Sequence, residues 1–127
     1  MTISDLGYVS LTVDAAYALD FFSILDVKCI KTNEQNDDFL KKRDDCANEI
    51  INQISLDLYK EIINSPEYKE LFNTNYKLFS IIDLAKKGGI DALQIDNLNY
   101  ERFKIKKKIQ EKFFGTKVKE IKLGYEE

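Results

Sequence analysis

Ser65-Pro66-Glu67 opens a stretch that Lys86-Lys87-Gly88-Gly89 closes. Between them Tyr68, Leu71, Phe72, Leu78, Phe79, Ile82 and Ala85 recur at helical spacing. Ser offers a side-chain oxygen to a free amide of the first turn. Pro fits the first helical position, where its missing N–H is no loss, and Glu complements the positive end of the helix dipole. At the far end two lysines face the negative pole, and glycine accepts the left-handed backbone that terminates helices. The spacing predicts a helix over 66–87 with one apolar face.

Working outward, the pattern stays helical. Thr12 or Asp14 is placed to cap a first helix over 12–31, whose apolar residues (Val13, Ala16, Tyr17, Leu19, Phe21, Phe22, Ile24, Leu25 and Val27) cover more than one stripe and predict extensive burial. The polar run 32–38 reads as a loop with an acidic helix start. Phe39, Cys46, Ile50, Ile54, Leu58 and Ile62 then give an approximate stripe over 37–64, a helix long enough to be broken or to form half of a helical hairpin. A fourth helix is expected over 91–114, stopped by Gly115. Residues 116–125 alternate partly and read as an extended C-terminal arm. The expected fold is all-α: one domain over 1–127, a four-helix assembly with a long helical hairpin and a short extended arm.

The composition narrows the chemistry. The chain has 127 residues, of which 44% are hydrophobic and 32% charged, enough for a core and too apolar for wholesale disorder. With no His, the chain lacks His general bases, Ser–His and Cys–His nucleophile pairs, and the usual zinc sets. Apolar runs are short and broken by charge, so no membrane span is expected, and residues 1–11 carry neither a basic head nor an apolar signal core. Cys29 and Cys46 stand alone, without a C-x-x-C pair, in keeping with a reducing cytoplasm.

Net charge is −3, split unevenly: residues 1–66 carry −6 and residues 67–127 carry +3. Opposed halves favour packing or association, and the basic half offers a face to an anionic partner. Arg102, Lys104, Lys106, Lys107, Lys108 and Lys112 are spread around one helix, and Arg is scarce, which disfavours nucleic acid as the partner. No phosphate-binding glycine loop, nucleophile elbow or metalloprotease motif occurs. Asp45 and Glu49, four apart, share a face that could help hold Mg²⁺, but a solvated acidic face is the simpler expectation. No cofactor is implied.

Four segments carry a resemblance: Asp20-Phe21-Phe22-Ser23-Ile24-Leu25-Asp26-Val27-Lys28; Asn75 to Asp83 with Leu78-Phe79; Asn99-Tyr100-Glu101-Arg102 followed by Lys106 and Ile109-Gln110; and Glu120-Ile121-Lys122 with Tyr125. Their order resembles an uncharacterised family of small all-helical bacterial and phage proteins with a D-[KR]-x-[ST]-I-L-E-I-K helix, an N-x-x-L-W-x-x-E-D helix, an N-D-x-R-x-x-x-K-x-x-I-N helix and an E-x-K tail. The sequence departs from that pattern at Phe21, Phe79, Ile82 and Gln110. The resemblance implies a helical fold and candidate positions, and no reaction.

The same positions stand out physically. Asp20 and Lys28 are eight apart, as are Asn75 and Asp83, and each pair is expected near one line of its helix. Asn99, Arg102 and Lys106 follow at three and four. All seven lie among residues that should be buried, where an unpaired polar group costs several kcal/mol. Two arrangements meet that demand. One is an interhelical lattice, such as Asp20 or Asp83 with Arg102. The other is a small pocket in which Arg102, Lys106 and Lys28 hold a phosphate or carboxylate, Asn75 and Asn99 orient it, and Tyr17, Phe79 and Tyr100 wall it.

Three functions follow as expectations. The first is a small cytoplasmic, non-enzymatic accessory protein acting through self-association, with a homo-oligomer expected because a 28-residue helix would leave an apolar stripe uncovered. The second is a binder of a small phosphorylated or nucleotide-like ligand around Arg102. The third is an enzyme on such a ligand with Asp20 or Asp83 as base.

Overall fold

A computed structural model describes residues 7–32, 37–88 and 92–118. Among them are five α-helices and no strand: α1 (Ala15–Lys31), α2 (Asp37–Ile54), α3 (Leu56–Ile63), α4 (Pro66–Ala85) and α5 (Ala92–Phe114). The all-α expectation holds. Helix α1 is central, packing on α2, α4 and α5, while α3 bridges α2 and α4. Every helix contributes to one core, which includes Leu19 and Phe22 of α1, Ile50 of α2, Ile62 of α3, Leu71 of α4 and Ile109 of α5. Phe22 meets Tyr59 edge-on, with ring centroids 5.8 Å apart. None of the described helices is long and apolar enough to cross a membrane.

The largest correction is the helix expected over 37–64, which is two helices. Ser55 has φ +94° and ψ 153° and sits between them. Its amide donates to Ile51 O at 2.9 Å, ending α2, and its carbonyl accepts from the Tyr59 amide at 3.1 Å, opening α3. Its Oγ also accepts from the Leu58 amide at 3.3 Å. A strict i+4 stripe explains why the break is needed. Each step of four advances about 40° around a straight helix, so from Cys46 to Ile62 the apolar line would swing about 160° away from the core. The break at Ser55 returns Tyr59 and Ile62 to burial.

The other boundaries differ less. α4 starts as expected, with Ser65 Oγ accepting from the Tyr68 amide at 3.2 Å and Pro66 at the first helical position. Gly88 (φ +83°) follows α4 and Gly115 (φ +66°) ends α5, both in the left-handed region. α1 begins at Ala15 rather than residue 12, and its cap position, Asp14, makes no side-chain capping bond. The amide of Ala16 instead donates to Gln110 Oε1 at 2.9 Å, so α5 caps α1 across 94 residues. Of the expected arm, residues 119–125 lie outside the described residues. Thr116 Oγ1 accepts from Gln110 Nε2 at 2.8 Å.

Candidate functional site

Four of the seven expected residues come together where α1, α4 and α5 meet. Asp20 is buried on the inner face of α1 because Ala16, Leu19 and Ser23 share that face. Arg102 reaches it from α5 in a forked arrangement. Nε donates to Oδ1 at 3.0 Å and Oδ2 at 2.9 Å, and Nη2 donates to Oδ2 at 2.6 Å. Asn75 of α4 donates through Nδ2 to Asp20 Oδ1 at 2.9 Å and to Ser23 Oγ at 2.6 Å. Ser23 Oγ donates in turn to Asp20 O at 2.8 Å. Lys106, one turn beyond Arg102 and only 4% exposed, places Nζ 3.6 Å from Asp20 Oδ2 and 5.4 Å from the centre of the Tyr17 ring.

This centre is closed. Both carboxylate oxygens of Asp20 already accept from charged or amide donors, which leaves no acceptor site for a reacting proton. The arrangement matches the interhelical lattice: an ion pair whose carboxylate is removed from water, supported by further hydrogen bonds that offset its desolvation.

The other three residues are elsewhere. Eight residues of α-helix advance about 12 Å and turn about 80° past a common line, so the expected alignment of Asp20 with Lys28 and of Asn75 with Asp83 fails on geometry. Asp83 is exposed. Lys28 lies between the rings of Phe39 and Phe79, at 5.7 and 5.9 Å from their centres. Asn99 is half-buried on α5 and takes no part in the bonds around Asp20. It lies a turn from Arg102 and about 10 Å along the axis from Lys106, whose Nζ is turned toward Asp20. Sequence reasoning passed over Ser23 and Gln110 as site residues. Their signal was a short hydroxyl three residues after Asp20, and an amide four residues after Lys106, each on an otherwise apolar face.

A second polar contact joins α1 to α2, where Arg43 Nη1 stands 3.5 Å from Asp26 Oδ1. Beside it the Tyr68 hydroxyl is buried and makes no hydrogen bond among the described residues. Burial, and then the negative charge of Asp26, push its pKa up. Burial and Glu49 push the Cys46 thiol up to about 11. Among the described residues no group of three or more acidic or thiol side chains gathers to hold a metal ion.

An open apolar feature lies elsewhere among the described residues. A groove of about 800 Å³ runs between the segment before α1, α1 itself and α2. Tyr8, Leu11 and Val13, Tyr17 and Phe21, and Ile50 and Ile54 line its three sides, and the exposed Lys42, Asp45, Glu49 and Gln53 follow its α2 edge. Leu11 is 78% exposed and Phe21 54%. Comparison with known proteins returns no significant match to a family model, a curated protein or a solved structure.

Proposed function

We propose that the chain is a non-enzymatic helical accessory protein that acts by self-association and protein contacts. One observation carries this: the polar centre is saturated and closed, while the apolar face of residues 8–13, α1 and α2 is open. Scattered surface hydrophobics are ordinary, but a contiguous run of them beside a groove marks a contact surface. Light scattering on the purified chain tests the reading. A particle heavier than one 14.8 kDa chain supports it, and a monomer at every concentration counts against self-association.

A second reading, a phosphorylated or nucleotide-like anion held at Arg102, is favoured by one detail. Arg102 keeps 26% of its side chain at the surface, and Nη1 takes no part in the bonds to Asp20. A thermal-shift series with nucleotides and sugar phosphates decides it. Uniform silence, with Arg102→Ala lowering stability alone, removes this reading.

A further inference from the structure

We propose that the groove between α1 and α2 takes the N-terminal segment of a second copy of this chain, so that two protomers exchange residues 8–13 across a two-fold axis. The inference rests on the contact-surface reading above and names its occupant.

Four features of the molecule point to that occupant. Residues 7–13, Gly-Tyr-Val-Ser-Leu-Thr-Val, are uncharged and rich in residues that favour extended backbone. Among the described residues, the backbone groups of 8–13 enter no backbone hydrogen bond, and Val9 and Leu11 are 79% and 78% exposed. The lengths agree: six extended residues span about 17 Å. The α2 wall from Lys42 to Ile54 runs about 18 Å. The segment itself walls one side of the groove, so segment and groove form one face and a single two-fold contact covers both at once, as an isologous interface requires.

Charge is compatible with the same symmetry. Lys42 and Glu49 stand two turns apart on the α2 edge. An antiparallel approach of two α2 helices centred between Asp45 and Cys46 sets Lys42 of each copy opposite Glu49 of the other. Asp45, nearest that axis, is already paired with Lys41 at 3.0 Å.

The test uses the full-length chain and two surface variants, Leu11→Asp in the segment and Phe21→Lys in the groove wall, followed by sedimentation over a concentration series. The expected wild-type particle has twice the 14.8 kDa chain mass. Each single variant weakens dimerisation about tenfold or more. Mixing the two variants restores it, because one intact segment meets one intact groove while the new Asp meets the new Lys. Circular dichroism of each variant checks that it is folded, and Val9→Asp replaces Leu11→Asp should that variant fail to fold. A wild-type dimer indifferent to both changes overturns the exchange and leaves self-association standing. A dimer weakened by both but not restored by mixing also overturns the exchange. A monomer at all concentrations overturns the exchange and self-association together.

Discussion

Asp20 shows at the scale of one residue why a charge sits inside this bundle. It is almost fully buried, and five donor contacts from Arg102, Asn75 and Lys106 surround it. Removing one partner of such a set costs more than the pair contributes, because the remaining charge stays buried. Arg102→Ala is therefore expected to lower unfolding stability by about 3 kcal/mol in urea titration, the low end for a buried pair because Lys106 and Asn75 remain. The double change Asp20→Leu with Arg102→Leu should be less destabilising than the sum of its single changes, by more than about 1 kcal/mol. Asn75→Ala removes two donors and should cost about 1–3 kcal/mol by the same measurement. The convergence of Asp20, Asn75, Arg102 and Lys106 was legible because each is a polar group on an apolar helix face. Asp83 and Lys28 were misplaced because eight residues is not a whole number of helical turns.

Among the elements, α2 and α3 are the ones the sequence disguised. The apolar residues from Cys46 to Ile62 keep an i+4 rhythm through Ser55, and no Pro or Gly marks the break. Only the backbone reveals it, in a φ of +94° that a serine rarely adopts. Such a conformation costs about 1–3 kcal/mol for a residue with a side chain, while Ser to Gly at a cap loses only a few tenths. Ser55→Gly should therefore stabilise the protein by about 1 kcal/mol, read as a higher urea midpoint. α4 behaves oppositely, since its start was plain in Ser65-Pro66-Glu67, and Ser65→Ala should cost about 1 kcal/mol. Glu67 also ties α4 to α5, accepting from Lys112 Nζ at 2.6 Å. That bond, then its own backbone amide, hold the Glu67 carboxyl below its ordinary value of 4.5. A lowered folded-state pKa stabilises above the unfolded value and is lost as pH falls through the folded one. The stability gap between wild type and Glu67→Gln should close in acid, below the ordinary carboxylate range, and persist near neutrality.

The whole molecule departs from the expectation of one long uncovered helix. α2 has 18 residues rather than the 28 expected, so its length no longer argues for a partner. The open apolar surface lies where the segment before α1 meets α1 and α2. The all-α class was readable from periodicity. That surface was not, because exposure depends on which helices cover which, and the periodicity of one helix does not report its neighbours in space. The two cysteines report on the same geometry. Cys29 is inaccessible in the core, while Cys46 is half-buried along the groove. With its thiol raised to about 11, Cys46 should alkylate slowly at pH 8 compared with the unfolded chain, and Cys29 only on global opening. Mass spectrometry of a timed labelling series separates the two rates.

The Ala16–Gln110 bond has a temporal meaning as well. Translation releases α1 early, yet the amide cap of its first turn and the guanidinium that neutralises Asp20 are both encoded near the far end of the chain. While it is being made, the polypeptide carries a helix with a bare start and an unanswered anion. Its final architecture can lock only after α5 has emerged from the ribosome, so a polypeptide stalled ahead of Arg102 is left as prey for chaperones and proteases.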